Sequence, residues 1–204
     1  MIVGLGTGST AAHVVRLLGE RVRTGLAIRA VATSRATERL ASDCGIAVED
    51  FADVPRLDLA IDGADEIEDN LRAIKGAGGA MLREKAVAEA AARMIVVADG
   101  SKHRPAIGGA PVPVEVLPFA RAFVLGRLAA LGAPVSVRPS YLTDNGNLVA
   151  DCTFAAMTDP LALARALEAI PGALGHGLFL TQIDAAYIAT DGIVTRLERT
   201  AGPR

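Results

Sequence analysis

The sequence predicts an α/β fold, in which an open and mostly parallel sheet is flanked by helices (Rossmann-like), together with a smaller α+β domain of the ferredoxin-like kind. Three observations support this prediction. Across the first two-thirds of the 204 residues, short β-branched runs alternate with longer helical patterns, which is typical of βαβ units. A glycine-rich segment, residues 4–10, separates the first run from the first helical pattern. After residue 111 the order becomes strand, helix and hairpin.

The elements of the first part follow from local patterns. Ile2 and Val3 end a strand, and apolar residues at helical spacing predict a helix over residues 11–23. Residues 28–32 form a strand, and Ser34 is a suitable N-cap for a helix that ends near residues 44–45. Apolar runs at 57–61 and 94–98 predict two further buried strands, with a helix over residues 80–92 between them.

The later elements predict a second, smaller domain. A helix covers residues 118–131, and a strand pair turns at Asn145-Gly146, a strong hairpin signal. Asp159 and Pro160 suit the N-cap and first position of a helix that ends near residues 171–172. We therefore expect an α/β domain made of residues 1–116 and about 185–204, and an α+β domain of residues 117–184.

Composition excludes several classes of protein. Apolar residues make up 51% and charged residues 22% of the chain, so it can bury a core and is not a disordered chain. The net charge of −2 provides no basic surface for nucleic acid or an anionic membrane, so an anionic ligand needs local donors. Two distant cysteines, the lack of a long apolar run and the lack of an export signal indicate a cytoplasmic protein with reduced thiols.

The first glycine-rich segment has the composition of a phosphate-binding loop. Glycines let the backbone approach a ligand, and a helix start presents free N–H groups. A dinucleotide fingerprint would need glycine where Ser9 stands, and no acidic residue ends the second strand at Thr33-Ser34. The lysine of a P-loop is missing too. The alternative is a tight turn with a Ser or Thr cap.

Two further segments place polar groups after strands or before a helix. Asp62, Gly63, Ala64 and Asp65 directly follow a strand, where ligands bind in open α/β sheets, although aspartate also favours simple turns. No histidine or carboxylate spacing supports a metal site there. The segment 75–79 is a second glycine-rich loop, whose Lys75 suits a phosphate or a developing oxyanion, or is a solvated loop lysine.

Glu84 is the only charged residue on the apolar face of the helix over residues 80–92. At 100° per residue, the neighbours within about 60° of it are apolar: Ala80, Met81, Val87, Ala88 and Ala91. A carboxylate buried there needs a partner, a raised pKa or both, which makes it a candidate general base. A structural ion pair, with Lys75 or Lys102, is the alternative.

Together these segments resemble ribose-5-phosphate isomerase of the A type. The resemblance rests on residues 4–11, 62–66 and 75–80, and further segments fit in order and spacing: 83–85, 101–102, 113–116, 143–147 and 171–172. It implies interconversion of D-ribose 5-phosphate and D-ribulose 5-phosphate, a phosphosugar substrate and no redox cofactor. It also implies a homodimer or homotetramer. From the residues we expect no metal.

The resemblance also implies site residues. Glu84 matches the proton acceptor, and Lys102 matches a binding lysine. The substrate-binding stretches are Thr7, Gly8, Ser9 and Thr10; Asp62, Gly63, Ala64 and Asp65; and Lys75, Gly76, Ala77 and Gly78. Among these we expect Asp62, Asp65 and Lys75 to assist Glu84 in catalysis.

Two departures from the family pattern lead to further expectations. The family usually has glycine where this chain has Ala77, so a positive φ there would be disfavoured. The family also begins with a helix before the first strand, so we expect a natural segment before Met1. Two other functions stay open: a non-catalytic sugar-phosphate sensor, and an amino-sugar-phosphate deaminase that would need a catalytic histidine.

Overall fold

The computed structural model describes residues 1–155 and 157–199. The strands are β1 (Ile2–Leu5), β2 (Arg29–Ala32), β3 (Ala47–Val48), β4 (Leu59–Asp62), β5 (Glu66–Ile67), β6 (Ala73–Ile74), β7 (Met94–Asp99), β8 (Val112–Val116), β9 (Val135–Val137), β10 (Leu148–Cys152), β11 (Ala173–His176), β12 (Leu178–Phe179), β13 (Ala185–Thr190) and β14 (Ile193–Glu198). The helices are α1 (Ser9–Arg23), α2 (Arg35–Asp43), α3 (Met81–Ala90), α4 (Arg121–Ala129) and α5 (Pro160–Glu168).

The chain divides into two compact units. The first unit comprises Met1–Gly63, Arg83–His103 and Thr181–Arg204, and the second comprises Ala64–Leu82 and Arg104–Leu180. Within the described residues, no helix is long and apolar enough to cross a membrane.

The first unit contains a seven-stranded sheet in the order β14-β13-β7-β4-β1-β2-β3. All neighbours in it are parallel except β13 and β14. Buried side chains of β1 and β2 pack with apolar residues of α1 and α2, such as Val15 and Ala41. The predicted cap of α2 is confirmed, since the Ser34 hydroxyl accepts a hydrogen bond from the Thr37 amide. The α/β prediction is therefore confirmed.

The second unit contains a four-stranded antiparallel sheet in the order β11-β8-β10-β9. With α4 after β8 and α5 after β10, the chain order is βαββαβ, which is the ferredoxin-like arrangement predicted. All five residues of β8 are buried, and Val114 packs with Val124 and Leu128 of α4. As predicted, Asp159 caps α5 by accepting from the Ala162 amide, and Pro160 begins the helix.

The predicted turn at Asn145-Gly146 is only partly right. β9 and β10 do pair, but β9 ends at Val137, so residues 138–147 join them instead of a two-residue turn. Pro139 has no N–H to continue the ladder. Gly146 instead closes a local turn by donating its N–H to the Thr143 carbonyl at 2.9 Å.

A third sheet was not expected from the sequence. It has the order β12-β6-β5 and belongs to the second unit, and each strand has two residues. Strands this short carry no periodic signal. Lys75 follows β6 directly, so this sheet sets the position of the second glycine-rich loop.

Candidate active site

The sheet of the first unit has a topological switch point between β1 and β4. From β1 the chain moves outward to β2 and β3, and it then returns to β4 on the other side of β1. Ligands of open α/β sheets bind at the carboxyl ends of the strands at such a point. The loop after Leu5 and the carboxylate of Asp62 both lie at this end. Fold topology thus supports the predicted location of the site.

Asp62 organises the first glycine-rich loop. Its Oδ1 accepts hydrogen bonds from the Thr7 amide at 3.1 Å and the Gly63 amide at 2.7 Å, and its side chain is buried. A Cβ added at Gly6 would lie 2.0 Å from that same Oδ1. Glycine is therefore required at position 6 because the loop backbone and the carboxylate touch. The structure brings Thr7, Asp62 and Gly63 together.

Hydroxyl groups of Thr33 and Thr37 hold the backbone and the Thr7 side chain of this loop by hydrogen bonds. The Thr7 hydroxyl lies 2.7 Å from that of Thr33, and Thr37 donates to the Gly6 carbonyl at 2.9 Å. Thr33 also donates to the Leu5 carbonyl at 3.1 Å. Thr33 and Thr37 were not among the predicted site residues. The sequence signal for them is the pair of hydroxyl residues, Thr33-Ser34, that follows the strand next to β1.

Helix α1 begins at Ser9 with Gly8 as its N-cap residue, so no side chain caps the first turn. Ser9 and Thr10 line a cavity of about 510 Å³ in the first unit, together with Asp99 and Tyr187. This volume is within the range of small-molecule sites, roughly 300–1,000 Å³. Of the predicted site residues, Ser9 and Thr10 border this space, and Asp62, Glu84 and Lys102 do not.

Lys102 lies at the end of a short 3₁₀ turn that follows β7. Asp99 begins this turn and accepts a hydrogen bond from the Ser101 amide at 2.8 Å. Hydrogen bonds from Ser101 and the nearby charge of Lys102 lower the pKa of Asp99. The turn thus combines an ionised carboxylate with the half-buried Lys102.

Glu84 is buried in the first turn of α3, with 4% of its surface exposed. Met81, Val87 and Ala88 of α3 are buried on the same helix face. The expectation that Glu84 lies on the buried face is therefore confirmed.

The second glycine-rich loop belongs to the second unit. Lys75 has only 2% of its surface exposed, so it is not a solvated loop lysine. Its Nζ lies 5.4 Å from the centre of the Phe179 ring. Asp65 Oδ2 accepts a hydrogen bond from the Ala77 amide at 2.8 Å, which brings Asp65 onto the same loop.

The glycines of this loop have different requirements. Gly76 has a φ of +103°, and a Cβ there would lie 2.8 Å from the Cβ of Met81. Position 76 therefore needs glycine for both reasons. Ala77 does not have a positive φ, and it is exposed, so its methyl group is accommodated.

Two side chains that the sequence argument missed hold this loop by its carbonyls. Arg138 donates to the Ala77 carbonyl at 2.8 Å and to the Gly76 carbonyl at 3.1 Å, and Tyr141 donates to the Gly78 carbonyl at 2.8 Å. Arg138 is itself held by Asp151 through two hydrogen bonds of 2.8 and 2.7 Å, which raise its pKa. No sequence signal links these residues, because more than sixty positions separate Arg138 from Ala77.

The predicted residues therefore form two groups. Thr7, Gly8, Ser9, Thr10, Asp62, Gly63, Glu84 and Lys102 belong to the first unit, and Ala64, Asp65, Lys75, Gly76, Ala77 and Gly78 belong to the second. Among the described residues, no three His, Cys, Asp or Glu side chains are grouped as a metal site requires.

Comparisons with known proteins identify the family. The family model for ribose 5-phosphate isomerase A (phosphoriboisomerase A) matches residues 29–192. Ribose-5-phosphate isomerase A of Sphingopyxis alaskensis is 50% identical over 198 residues, covering 95% of this chain and 87% of the relative.

Two solved structures are also similar. That of ribose 5-phosphate isomerase A from Methanocaldococcus jannaschii has a TM-score of 0.93 and 35% identity, covering 98% of this chain and 91% of that one. A D-ribose-5-phosphate isomerase in complex with phospho-erythronic acid has a TM-score of 0.94 and 36% identity, with the same coverage. This chain belongs to the ribose-5-phosphate isomerase A family.

Proposed function

We propose that this chain is an aldose–ketose isomerase that interconverts D-ribose 5-phosphate and D-ribulose 5-phosphate, a reaction of the pentose phosphate pathway. The observation that carries the proposal is the 50% identity over 198 residues to a ribose-5-phosphate isomerase A. The buried Glu84 and two glycine-rich loops supply the groups that such a reaction needs. None of these observations favours the sensor or the deaminase.

The chemistry defines what the site must do. The open-chain aldose has its carbonyl at C1 and a hydrogen on C2. The ketose has its carbonyl at C2 and an additional hydrogen on C1. A base removes the proton from C2 of the aldose, and a negatively charged enediolate forms. The hydroxyl proton moves from O2 to O1, and the base returns its proton to C1, which gives the ketose. The site therefore needs one base that reaches both carbons and donors for the developing negative charge.

We assign the base to Glu84. Its burial among apolar residues of α3 supports this role, because a carboxylate poorly solvated by water is a stronger base. Asp62 and Asp65 are assigned to the sugar hydroxyls and to ring opening. Each already accepts a backbone N–H of a glycine-rich loop, which fixes its orientation.

The remaining donors are assigned to the negative charges. Lys75 and the amides beside it stabilise the enediolate oxygen, and one well-placed donor contributes roughly 3 kcal/mol to such a transition state. Ser9, Thr10 and Lys102 bind the phosphate or the neighbouring polar groups. The uncapped first turn of α1 supports this assignment, because its N–H groups favour an anion.

We also propose a homodimer or homotetramer in the cytoplasm, with a phosphosugar as the only partner besides a second copy. Apolar side chains exposed around the start of α4 support self-association: Phe119 is 96% exposed, and Phe123 and Leu117 are exposed as well. Light scattering coupled to size exclusion tests the oligomeric state. A monomer at micromolar concentration would contradict the proposal.

The function is tested with Glu84→Gln, which keeps the shape of the side chain and removes the base. Turnover of D-ribose 5-phosphate should fall by about 10²–10⁴, while binding of phospho-erythronic acid, the ligand in the structure of a relative, should change little. Glu89→Gln is the matched control, since Glu89 is an exposed glutamate of the same helix.

Two results would contradict the proposal. A wild-type chain that does not interconvert the two pentose phosphates removes the function. A Glu84→Gln variant with near-normal turnover removes the assignment of the base and leaves the function intact.

A further inference from the structure

The segment that joins β9 to β10, residues 138–147, forms hydrogen bonds to the second glycine-rich loop. Arg138 and Tyr141 donate to three consecutive carbonyls of that loop, those of Gly76, Ala77 and Gly78, at 3.1, 2.8 and 2.8 Å. We call residues 138–147 the strap. Part of the strap is the segment 143–147, which the family resemblance includes and to which the proposed reaction gives no role.

Both ends of the strap are anchored in the second unit. At its start, Arg138 forms a two-pronged ion pair with Asp151 of β10. At its end, the buried Glu115 of β8 accepts hydrogen bonds from Thr143 at 2.9 Å and Asn147 at 2.8 Å. The strap is therefore held by side chains of two strands of the antiparallel sheet, and its hold on the loop is fixed.

The hydrogen bonds to these carbonyls also set the direction of the N–H groups in the same peptides. In a planar trans peptide the C=O and the N–H point in opposite directions. Fixing the Gly76, Ala77 and Gly78 carbonyls therefore fixes the N–H groups of Ala77, Gly78 and Gly79. The Ala77 N–H donates to Asp65 and the Gly79 N–H donates to the Gly76 carbonyl. Among the described residues, no acceptor takes the Gly78 N–H.

We propose that Arg138 is a positioning residue that turns the Ala77–Gly78 peptide so that the Gly78 N–H donates to the negatively charged oxygen of the reaction intermediate. The inference rests on the proposed isomerase function. The guanidinium suits this task because its fixed fork has enough N–H groups to bind Asp151 and two carbonyls at once. A lysine at position 138 has one nitrogen and cannot span these partners.

The test compares an inhibitor that resembles the intermediate with one that does not. Phospho-erythronic acid carries a planar carboxylate, like the two oxygens of an enediolate, whereas erythritol 4-phosphate has a neutral CH₂OH group in its place. Wild type, Arg138→Lys and Arg138→Met are assayed for kcat, for KM with D-ribose 5-phosphate, and for both inhibition constants. Arg29→Met is the matched control, since Arg29 forms an exposed ion pair with Glu49 at 2.8 Å.

In both Arg138 variants, kcat should fall by about tenfold or more, because a misplaced donor forfeits much of its effect on the transition state. The inhibition constant of phospho-erythronic acid should rise by a similar factor, and that of erythritol 4-phosphate by less than about twofold. Arg29→Met should match wild type in all four quantities.

If Arg138→Met folds poorly, Arg138→Lys carries the test, and Tyr141→Phe is the comparison variant for the loss of another contact to this loop. It removes the hydroxyl that donates to the Gly78 carbonyl. The N–H of that peptide already donates within the loop, so the effect on kcat should be under about threefold.

Three results would overturn the inference: wild-type kcat in a folded Arg138 variant, an equal loss of affinity for the two inhibitors, or Tyr141→Phe matching Arg138→Met. If wild type itself does not turn over D-ribose 5-phosphate, the proposed function fails before the role of Arg138 is tested.

Discussion

Glu115 allows a sharp test of how the second unit is held together. Its side chain is fully buried, and its Oε1 accepts hydrogen bonds from Thr143, Asn145 and Asn147 at 2.9, 3.0 and 2.8 Å. Thr143 and Asn147 are 6% and 8% exposed, whereas Asn145 is exposed and can turn to water. Glu115→Ala therefore leaves two buried donors without this acceptor.

The size of the effect follows from these contacts. Each buried donor left unsatisfied costs about 1–3 kcal/mol. Removing a buried carboxylate returns part of that cost, because its burial is itself unfavourable. We expect a net loss of about 2–4 kcal/mol, which corresponds to a fall in Tm of about 5–15 °C for a chain of this size.

Thermal unfolding followed by circular dichroism measures this loss. Glu115→Gln is the informative second variant, because it keeps an oxygen acceptor at Oε1. Its NH₂ group takes the place of Oε2, to which no described residue donates. The unpaired NH₂ costs about 1–3 kcal/mol and the removal of a buried charge offsets part of it, so Glu115→Gln should lose about 1 kcal/mol, less than Glu115→Ala. Glu49→Ala, which breaks only an exposed ion pair, should change stability by less than about 1 kcal/mol.

Either of two outcomes would refute the reasoning. If Glu115→Ala melts within about 2 °C of wild type, Thr143 and Asn147 find other acceptors, and Glu115 does not anchor this segment. If Glu115→Gln loses as much stability as Glu115→Ala, the negative charge rather than the acceptor oxygen holds the turn.

Two more predictions concern single atoms. Burial raises the pKa of Cys152 to about 12, so iodoacetamide at pH 8 should modify the half-buried Cys44 and spare Cys152 in the folded chain, as mass spectrometry would show; comparable labelling of both would contradict this. Gly6→Ala should lower kcat/KM by at least about tenfold, because its Cβ displaces the Asp62 carboxylate. The control Gly126→Ala, a helix position with open space, should leave kcat/KM unchanged, and equal activity of the two variants would argue against the close approach.

The α/β part of the fold was predictable because its signals are local. The Ser34 cap, the apolar face of α1 and the buried strands each depend on residues a few positions apart. The strands β5, β6 and β12 were not predictable, because each has two residues and β12 lies about a hundred positions after its partner β6. Such pairing is decided by tertiary packing.

A second dipeptide typical of hairpin turns, Asp191-Gly192, is present in the sequence and was not predicted as a hairpin. Asp191 and Gly192 have φ values of +51° and +80° and join the directly paired β13 and β14. Both central residues with positive φ define the tight hairpin turn that Asp-Gly favours. Asn145-Gly146 has the same signature, but only Gly146 has a positive φ there. The dipeptide therefore indicates a turn, and the flanking ladder decides whether it is a hairpin.

The site was predictable to the extent that its residues follow strands or repeat along a helix. Glu84 was found because helical spacing placed it among apolar neighbours, and burial confirms that position. Arg138 could not be predicted from the sequence, because its partners are backbone carbonyls of a distant loop. Every residue has a backbone carbonyl, so such a contact leaves no pattern in the sequence. Residues that position a site through the backbone are therefore the class that sequence patterns miss.

The caps of the helices argue for ligand binding at the first glycine-rich loop. Ser34 and Asp159 accept first-turn amides of α2 and α5, so those helix starts are satisfied internally. Helix α1 follows Gly8, which has no side chain to do the same, although Thr7, Ser9 and Thr10 stand beside it. The Ser or Thr cap expected under the alternative of a simple turn is therefore not present at this helix start. In a chain of net charge −2, an open helix start is the kind of local donor that an anionic substrate requires.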